Sequence, residues 1–214
     1  MPQTIDRVSI EALRPDPVKV IAQAAYLELS EFEALSRAAS AAPDLRAKEA
    51  LSNAAGLVLA KHRALTAELR RRGVEPAEAM APYREPIDAF AVMVAGADWY
   101  EALASIYLTS GLLDDFFSRL AAGIEDGGAK LSAVIAGENG AEAIVDMLAD
   151  AMAENPKLGS RLAVWGRRLV GDTLLVARSA LPQTQPNAEH RIEPVLTELM
   201  AEHTRRMDRL GLTA

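Results

Sequence analysis

The chain has 214 residues, 50% of them hydrophobic, with 23 Lys and Arg against 30 Asp and Glu for a formal charge of −7, and it has no cysteine. This excludes a disordered chain and removes disulfides, thiolate nucleophiles, iron–sulfur clusters and cysteine-based structural zinc together. The acidic balance argues against DNA binding, because phosphate contacts need a local excess of Lys and Arg. Aromatic residues are scarce while Ala, Leu, Glu and Arg dominate, which is helix composition, so an all-α protein is expected.

The N-terminal MPQTIDRVSIEALRPDP has neither a basic start before an apolar stretch nor a cleavage site, so no secretory signal is expected. No apolar run reaches about 18 residues, so no membrane span is expected either, and a cytoplasmic protein follows. In RPDPVKV, Asp16 is placed to cap a helix and Pro17 to occupy its first position. That helix runs near 17–40 and stops at Ala41-Ala42-Pro43. A second begins near 44 and ends at RRRG, where Arg70, Arg71 and Arg72 face the negative helix end and Gly73 supplies the turn. Residues 74–86, VEPAEAMAPYREP, read as a proline-punctuated connection with room for one short helical turn. Long helices follow near 98–122, 128–154 and 157–181, and LPQTQPNAE separates a last one near 189–210. Short connections make the first two helices one antiparallel hairpin and the next two another. The expectation is one helical domain over 1–214, with a bundle core at about 17–154 and extra helices at about 157–210 packed on it.

Polar residues interrupt the apolar seams at one level. In the first helix Ile21, Ala25, Glu28, Phe32 and Leu35 alternate by four and three, so Glu28 lies on the stripe. Leu51, Ala55, Val58, His62, Leu65 and Leu69 do the same in the second. Counted from the turn near residue 44, Glu28 and His62 differ by about 3 Å in height at ~1.5 Å per residue. A buried carboxylate and a buried imidazole are each unfavourable alone, and a mutual pair satisfies both. A mononuclear or weak metal site is the alternative use of the two. Ser110 is the lone polar residue on the seam Trp99, Leu103, Ile106, Ser110, Leu113, Phe117 and Leu120. Opposite it, AGENGAE at 136–142 offers Glu138 and Glu142 as neighbours. Gly137 and Gly140 there stand in a predicted helix interior, which points to close backbone approach, a bulge, or a site stripped of side chains.

Two hairpins with polar residues at mid-height look like a ferritin-like four-helix bundle. Such a bundle holds two metals with a carboxylate from each of two helices and an ExxH pair from each of the others. AAYLELSEFEALSRAA, KHRALTAEL, EPAEAMAPYREPIDAF, DWYEALASIYLTSG, DDFF and RLAVWGRRLVGDTL, spread over roughly residues 18–180, resemble actinobacterial ferritin-like proteins grouped with the MiaE-like tRNA hydroxylases. RLAVWGRRLVGD is the most specific piece. The resemblance implies a non-haem diiron centre that activates oxygen to hydroxylate an isopentenyl group on a tRNA adenosine. Carried over by position, Glu28 matches the carboxylate of the first helix and His62 the histidine of the first ExxH. Leu59 stands where that motif's glutamate would be, Ser110 at the acidic position of the third helix, and Gly140 at the second histidine. Asn187 and Met200 precede His190 and His203 by three, so the chain contains no ExxH. With at most Glu28, His62 and one of Glu138 or Glu142 converging, no dinuclear site is expected.

The remaining candidates read as structure. Trp99 and Trp165 fall in helical periodicity with leucines and should pack in the core. Arg167, Arg168 and Asp172 suit an ion-pair network at a helix interface, with a phosphate-facing patch as the alternative. EHTRRMDRL reads as a solvated amphipathic helix in which His203, Glu198 and Glu202 do not form a metal site, and His190 lies in a polar connection. The functional expectation is a non-catalytic ferritin-like binding or assembly module with no cofactor and, as ferritin-like hairpins suggest, a homodimer. The alternative is a metal-dependent oxidoreductase of the tRNA hydroxylase type, which would bring iron as cofactor and tRNA or a small substrate as partner.

Overall fold

Each of the first two helices begins where an aspartate can bond its free N–H groups. In the computed structural model, which describes residues 15–180 and 188–213, the Asp16 carboxylate accepts from the backbone N–H of Val18 at 3.0 Å and of Lys19 at 3.3 Å. It thereby opens α1, Pro17–Ser40. Asp44 accepts from Ala47 N–H at 2.8 Å and opens α2, Leu45–Arg71. The turn between them is too short for anything but an antiparallel hairpin. Ile21, Ala25 and Leu35 of α1 face Leu51, Val58, Leu65 and Leu69 of α2 in the core, all buried.

The proline-rich stretch at 74–86 is not a connection; it forms most of α3, Pro76–Met93. Pro76 sits in the first turn, where its missing N–H is no loss. Pro82 and Pro86 lie inside the helix but on its exposed side, so the carbonyls four residues earlier, which they leave without an N–H, face water. The helix buries Ile87 and Phe90, and the Tyr26 hydroxyl donates to Asp88 at 2.8 Å, tying α3 to α1.

The helix expected over 98–122 is continuous but not uniform. Asp98 caps α4, Trp99–Ser105; Ile106–Ser110 form a π-helical turn; α5 runs Gly111–Ala122. A π turn inserts one residue, which rotates everything after it by about 100° relative to an unbroken α-helix. The next expected helix is two: α6, Gly128–Ile135, and α7, Ala141–Glu154. Gly140 marks the break with a left-handed backbone (φ +81°), and a Cβ there would collide with Ala54 of α2. Of the options left open, close backbone approach is the one realised at Gly140.

Asn155 caps α8, Pro156–Ser179, by accepting from Lys157 N–H at 3.2 Å, and α9 spans Ala188–Arg209. Far from being a solvated helix, α9 docks: Val195, Leu199, His203 and Met207, spaced by four, are all buried. Position 190 falls in its first turn rather than in a connection. The stretches 1–14 and 181–187, which include the N-terminal segment and most of LPQTQPNAE, lie outside the described residues. One hydrophobic cluster runs from Val20 to Leu212 and joins the α1–α2 and α4–α7 hairpins to α8 and α9. Among the described residues every regular element is helical, and none is long and apolar enough to cross a membrane.

Candidate functional site

Glu28 and Glu31 stand one helical turn apart on α1 and so share a face. Across from them α2 contributes Lys61, α5 contributes Asp114, the π turn contributes Ser110, and the loop between α6 and α7 contributes Asn139. The Lys61 ammonium lies 2.9 Å from Glu28 Oε1 and 2.7 Å from Asp114 Oδ2. Asn139 Nδ2 donates to Asp114 Oδ2 at 3.2 Å. Carboxylate oxygens of Glu28, Glu31 and Asp114 lie within 4.8 Å of one another. Lys61 is 5% exposed and Glu28 2%, so this is a buried ionic cluster at the middle of the bundle.

Its electrostatics follow from burial and crowding. Three carboxylates face one ammonium. Burial first, then the Asp114 charge, hold the Glu28 carboxyl well above the usual range, with Lys61 opposing them. Burial and Asp114 likewise push Glu31 up to about 8, although Lys61 and a bond to Ser110 pull the other way. Asp114 is raised by burial against the stabilising pull of Lys61 and Asn139. Burial alone would lower the Lys61 pKa, but Asp114, Glu28 and Glu31 together hold it above its ordinary value. The cluster therefore keeps its ammonium charged and shares at least one proton among its carboxyls at neutral pH.

Beside the cluster lies a cavity of about 420 Å³ between α1, the end of α3 and the α4–α5 helix. Glu28, Glu31, Ser110 and Asp114 line one part; Leu27, Phe90, Val94, Leu113 and Phe117 give it an apolar wall. Glu28 Oε2 is buried and has no hydrogen-bond partner. A cleft of this size with a mostly apolar wall and a few converging polar groups has the form of a small-molecule site.

Of the residues singled out from sequence, Glu28 and Ser110 reach this site. The Ser110 hydroxyl is 2.6 Å from the Ile106 carbonyl and within bonding reach of Glu31. The expected Glu28–His62 pair is not formed. His62 is only half-buried, and its Nδ1–H donates to the Ala25 carbonyl at 2.8 Å. The stripe on α2 is wide enough that Ala54, Val58, Lys61 and Leu65 also alternate by four and three, and the lysine takes the inner place. Its long stem lies along apolar surface while its head reaches the carboxylates. Leu59 is half-buried. Glu138 and Glu142 do not join the cluster: Glu138 is exposed in the loop that breaks the helix, and Glu142, 74% exposed, pairs with Arg209 of α9. Asp114, missed in the sequence reading, stands four residues after Ser110 and shares its face.

Elsewhere the tryptophans are structural, each with its indole N–H satisfied. Trp99 Nε1 donates to Ala38 O at 2.9 Å and Trp165 Nε1 to Ser105 Oγ at 2.8 Å. Arg167 and Arg168 form no ion-pair network with Asp172. Instead Arg167 donates to Thr213 O at 2.6 Å, and Arg168 stacks over the Trp165 ring at 5.2 Å. His203, its pKa lowered by burial, has Nε2 at 3.0 Å from the Gly166 carbonyl and donates to it. Glu198 and Glu202 pair with Arg119.

A family profile described as a ferritin-like domain of actinomycetes matches residues 14–188. No curated protein matches the chain.

Proposed function

The chain belongs to the ferritin-like family of actinomycetes, and from that premise we propose that it is a ferritin-like bundle that works by binding a small molecule rather than by oxidising one at iron. One observation carries this reading: the Lys61 ammonium stands between Glu28 and Asp114, at 2.9 and 2.7 Å, in the middle of the bundle. A tethered cation there competes directly with any metal for the same oxygens. The donor set argues the same way. A two-metal site in this fold draws on four carboxylates and two histidines. The cluster has three carboxylates, and His62 is engaged with the Ala25 carbonyl instead. These residues do not fit a dinuclear iron centre. What they fit, together with the adjoining cavity of about 420 Å³, is reversible binding of a compact organic ligand.

The test is anaerobic loading with ferrous iron followed by desalting and metal analysis. The binding reading expects well below one iron per chain in protein whose helical signal is intact; two per chain would reverse it. A second reading, an iron-dependent oxidoreductase of the tRNA hydroxylase type, is favoured by the convergence of three carboxylates within 4.8 Å, but it requires Lys61 to leave their midst. The net charge of −7 makes tRNA a partner only under that second reading. A homodimer acting in the cytoplasm completes the proposal, and light scattering of the purified protein tests the dimer.

A further inference from the structure

We infer that the cavity takes an organic ammonium with an apolar body, its head seated at Glu28 and Glu31 and its body along Leu27, Phe90, Val94 and Phe117. This rests on the small-molecule reading above and specifies the ligand's chemistry. Three independent features select it.

The first is the orphaned acceptor. Glu28 Oε2 is buried without a hydrogen-bond partner on a side chain that lines the cavity. A buried acceptor left without a donor is unfavourable, so the site lacks a donor, and a ligand N–H supplies one. The second is charge. Three carboxyls crowd the single ammonium of Lys61, so an incoming cation takes the place of the proton they share, whereas an anion would add to their repulsion. Two of the three donors of Lys61 are already engaged by Glu28 and Asp114, and an anion reaching the third would lie against the surrounding carboxyls. The fold itself shows that an ammonium suits these oxygens, because Lys61 sits among them at ordinary charge-assisted distances. The third is shape. The wall beyond the cluster is aliphatic and aromatic, and a bare metal ion or a polyamine would leave it uncovered. An alkyl or aryl body attached to the cationic head covers it and gains the favourable transfer of apolar surface from water.

The experiment is calorimetric titration of the full-length protein, freed of metals with chelator, at neutral pH with hexylammonium, hexanol and hexanoate. Each variant's melting curve is recorded in parallel. Hexylammonium should bind at a single saturable site, with hexanol at least about tenfold weaker and hexanoate undetectable. Glu31→Gln should weaken hexylammonium by about tenfold, and Ala34→Trp, which fills the cavity from its α1 wall, should abolish binding. Glu33→Gln, exposed on α1 outside the cavity, should change nothing. Should Glu31→Gln fail to fold, the three ligands and Ala34→Trp decide the matter alone. Hexanol binding as tightly as hexylammonium, with both lost in Ala34→Trp, would overturn the ammonium assignment while leaving the small-molecule reading standing. Absence of binding by all three would overturn both. Hexylammonium binding undiminished in Ala34→Trp would place it on the surface and overturn the site.

Discussion

Replacing Lys61 by Met keeps a long unbranched side chain and removes one positive charge from between Glu28 and Asp114. The wild-type ammonium is 5% exposed and touches both carboxylates within 3 Å, so its loss leaves three acidic groups within 4.8 Å of one another with no cation among them. Removing one partner from a buried pair typically destabilises by about 3–5 kcal/mol. Proton uptake gives a second route to the same figure. Restoring the lost neutralisation means protonating one more carboxyl, and for an ordinary carboxyl pKa of about 4.3 that costs ~1.36 kcal/mol per pH unit, or about 3.7 kcal/mol at about pH 7. The two routes agree on roughly 4 kcal/mol. The second also fixes the pH dependence. A carboxyl whose folded pKa is raised contributes stability that is complete below its unfolded pKa and is lost as pH rises through the folded one. The Lys61→Met deficit should therefore shrink to about 1 kcal/mol near pH 5 and grow toward pH 8. Urea denaturation followed by circular dichroism measures it, and adding Glu28→Gln to Lys61→Met should recover part of the loss. A deficit below about 1 kcal/mol that stays the same from about pH 5 to about pH 8 would refute the buried cluster.

Glu31→Gln should flatten the pH dependence of stability. In the native protein Glu31 is pushed up to about 8, so the stability linked to its proton is complete below about pH 4.5 and disappears as pH rises through about 8; because Gln mimics the protonated carboxyl, the stability curves of the two proteins should converge at the acid end and the variant should be the more stable one at the alkaline end. His203→Ala should cost about 2–3 kcal/mol by removing the bond to the Gly166 carbonyl and leaving a gap under α9, and hydrogen exchange should report faster opening of α9. The burial-lowered pKa of His203 means that its contribution is present above about pH 6.5 in the wild type and is lost as pH falls through the folded value. Gly140→Ala should destabilise by at least about 1–2 kcal/mol, since it forces a side chain into a left-handed backbone against Ala54; thermal melting checks it.

Helix ends were the most readable part of the chain. Asp16, Asp44 and Asn155 are caps with local chemistry, and α1, α2, α8 and α9 begin and end within a residue or two of where the sequence places them. What failed was context. Pro82 and Pro86 break a helix by rule, yet α3 tolerates both because water reaches the carbonyls they leave unpaired. The glycines at 137 and 140 were read inside a helix, although Gly140 is there for its positive φ and its contact with Ala54. At the site, Glu28 was found because a charge on a leucine stripe stands out. Lys61 was passed over because lysines are ordinarily exposed and a histidine stood beside it as the more familiar ligand. Its spacing from Val58 and Leu65 was the available signal. Glu31 could have been found one turn after Glu28. Asp114 carried the same kind of signal, standing four residues after the seam residue Ser110 and beside the buried Leu113.

A crystal structure of protein soaked anaerobically with ferrous iron, with diffraction recorded on both sides of the iron absorption edge, tests the central claim most directly. The account predicts Lys61 Nζ in density between Glu28 and Asp114 and no anomalous peak inside the cluster. Two anomalous peaks about 3.5–4 Å apart among Glu28, Glu31 and Asp114, with the lysine turned away, would contradict it.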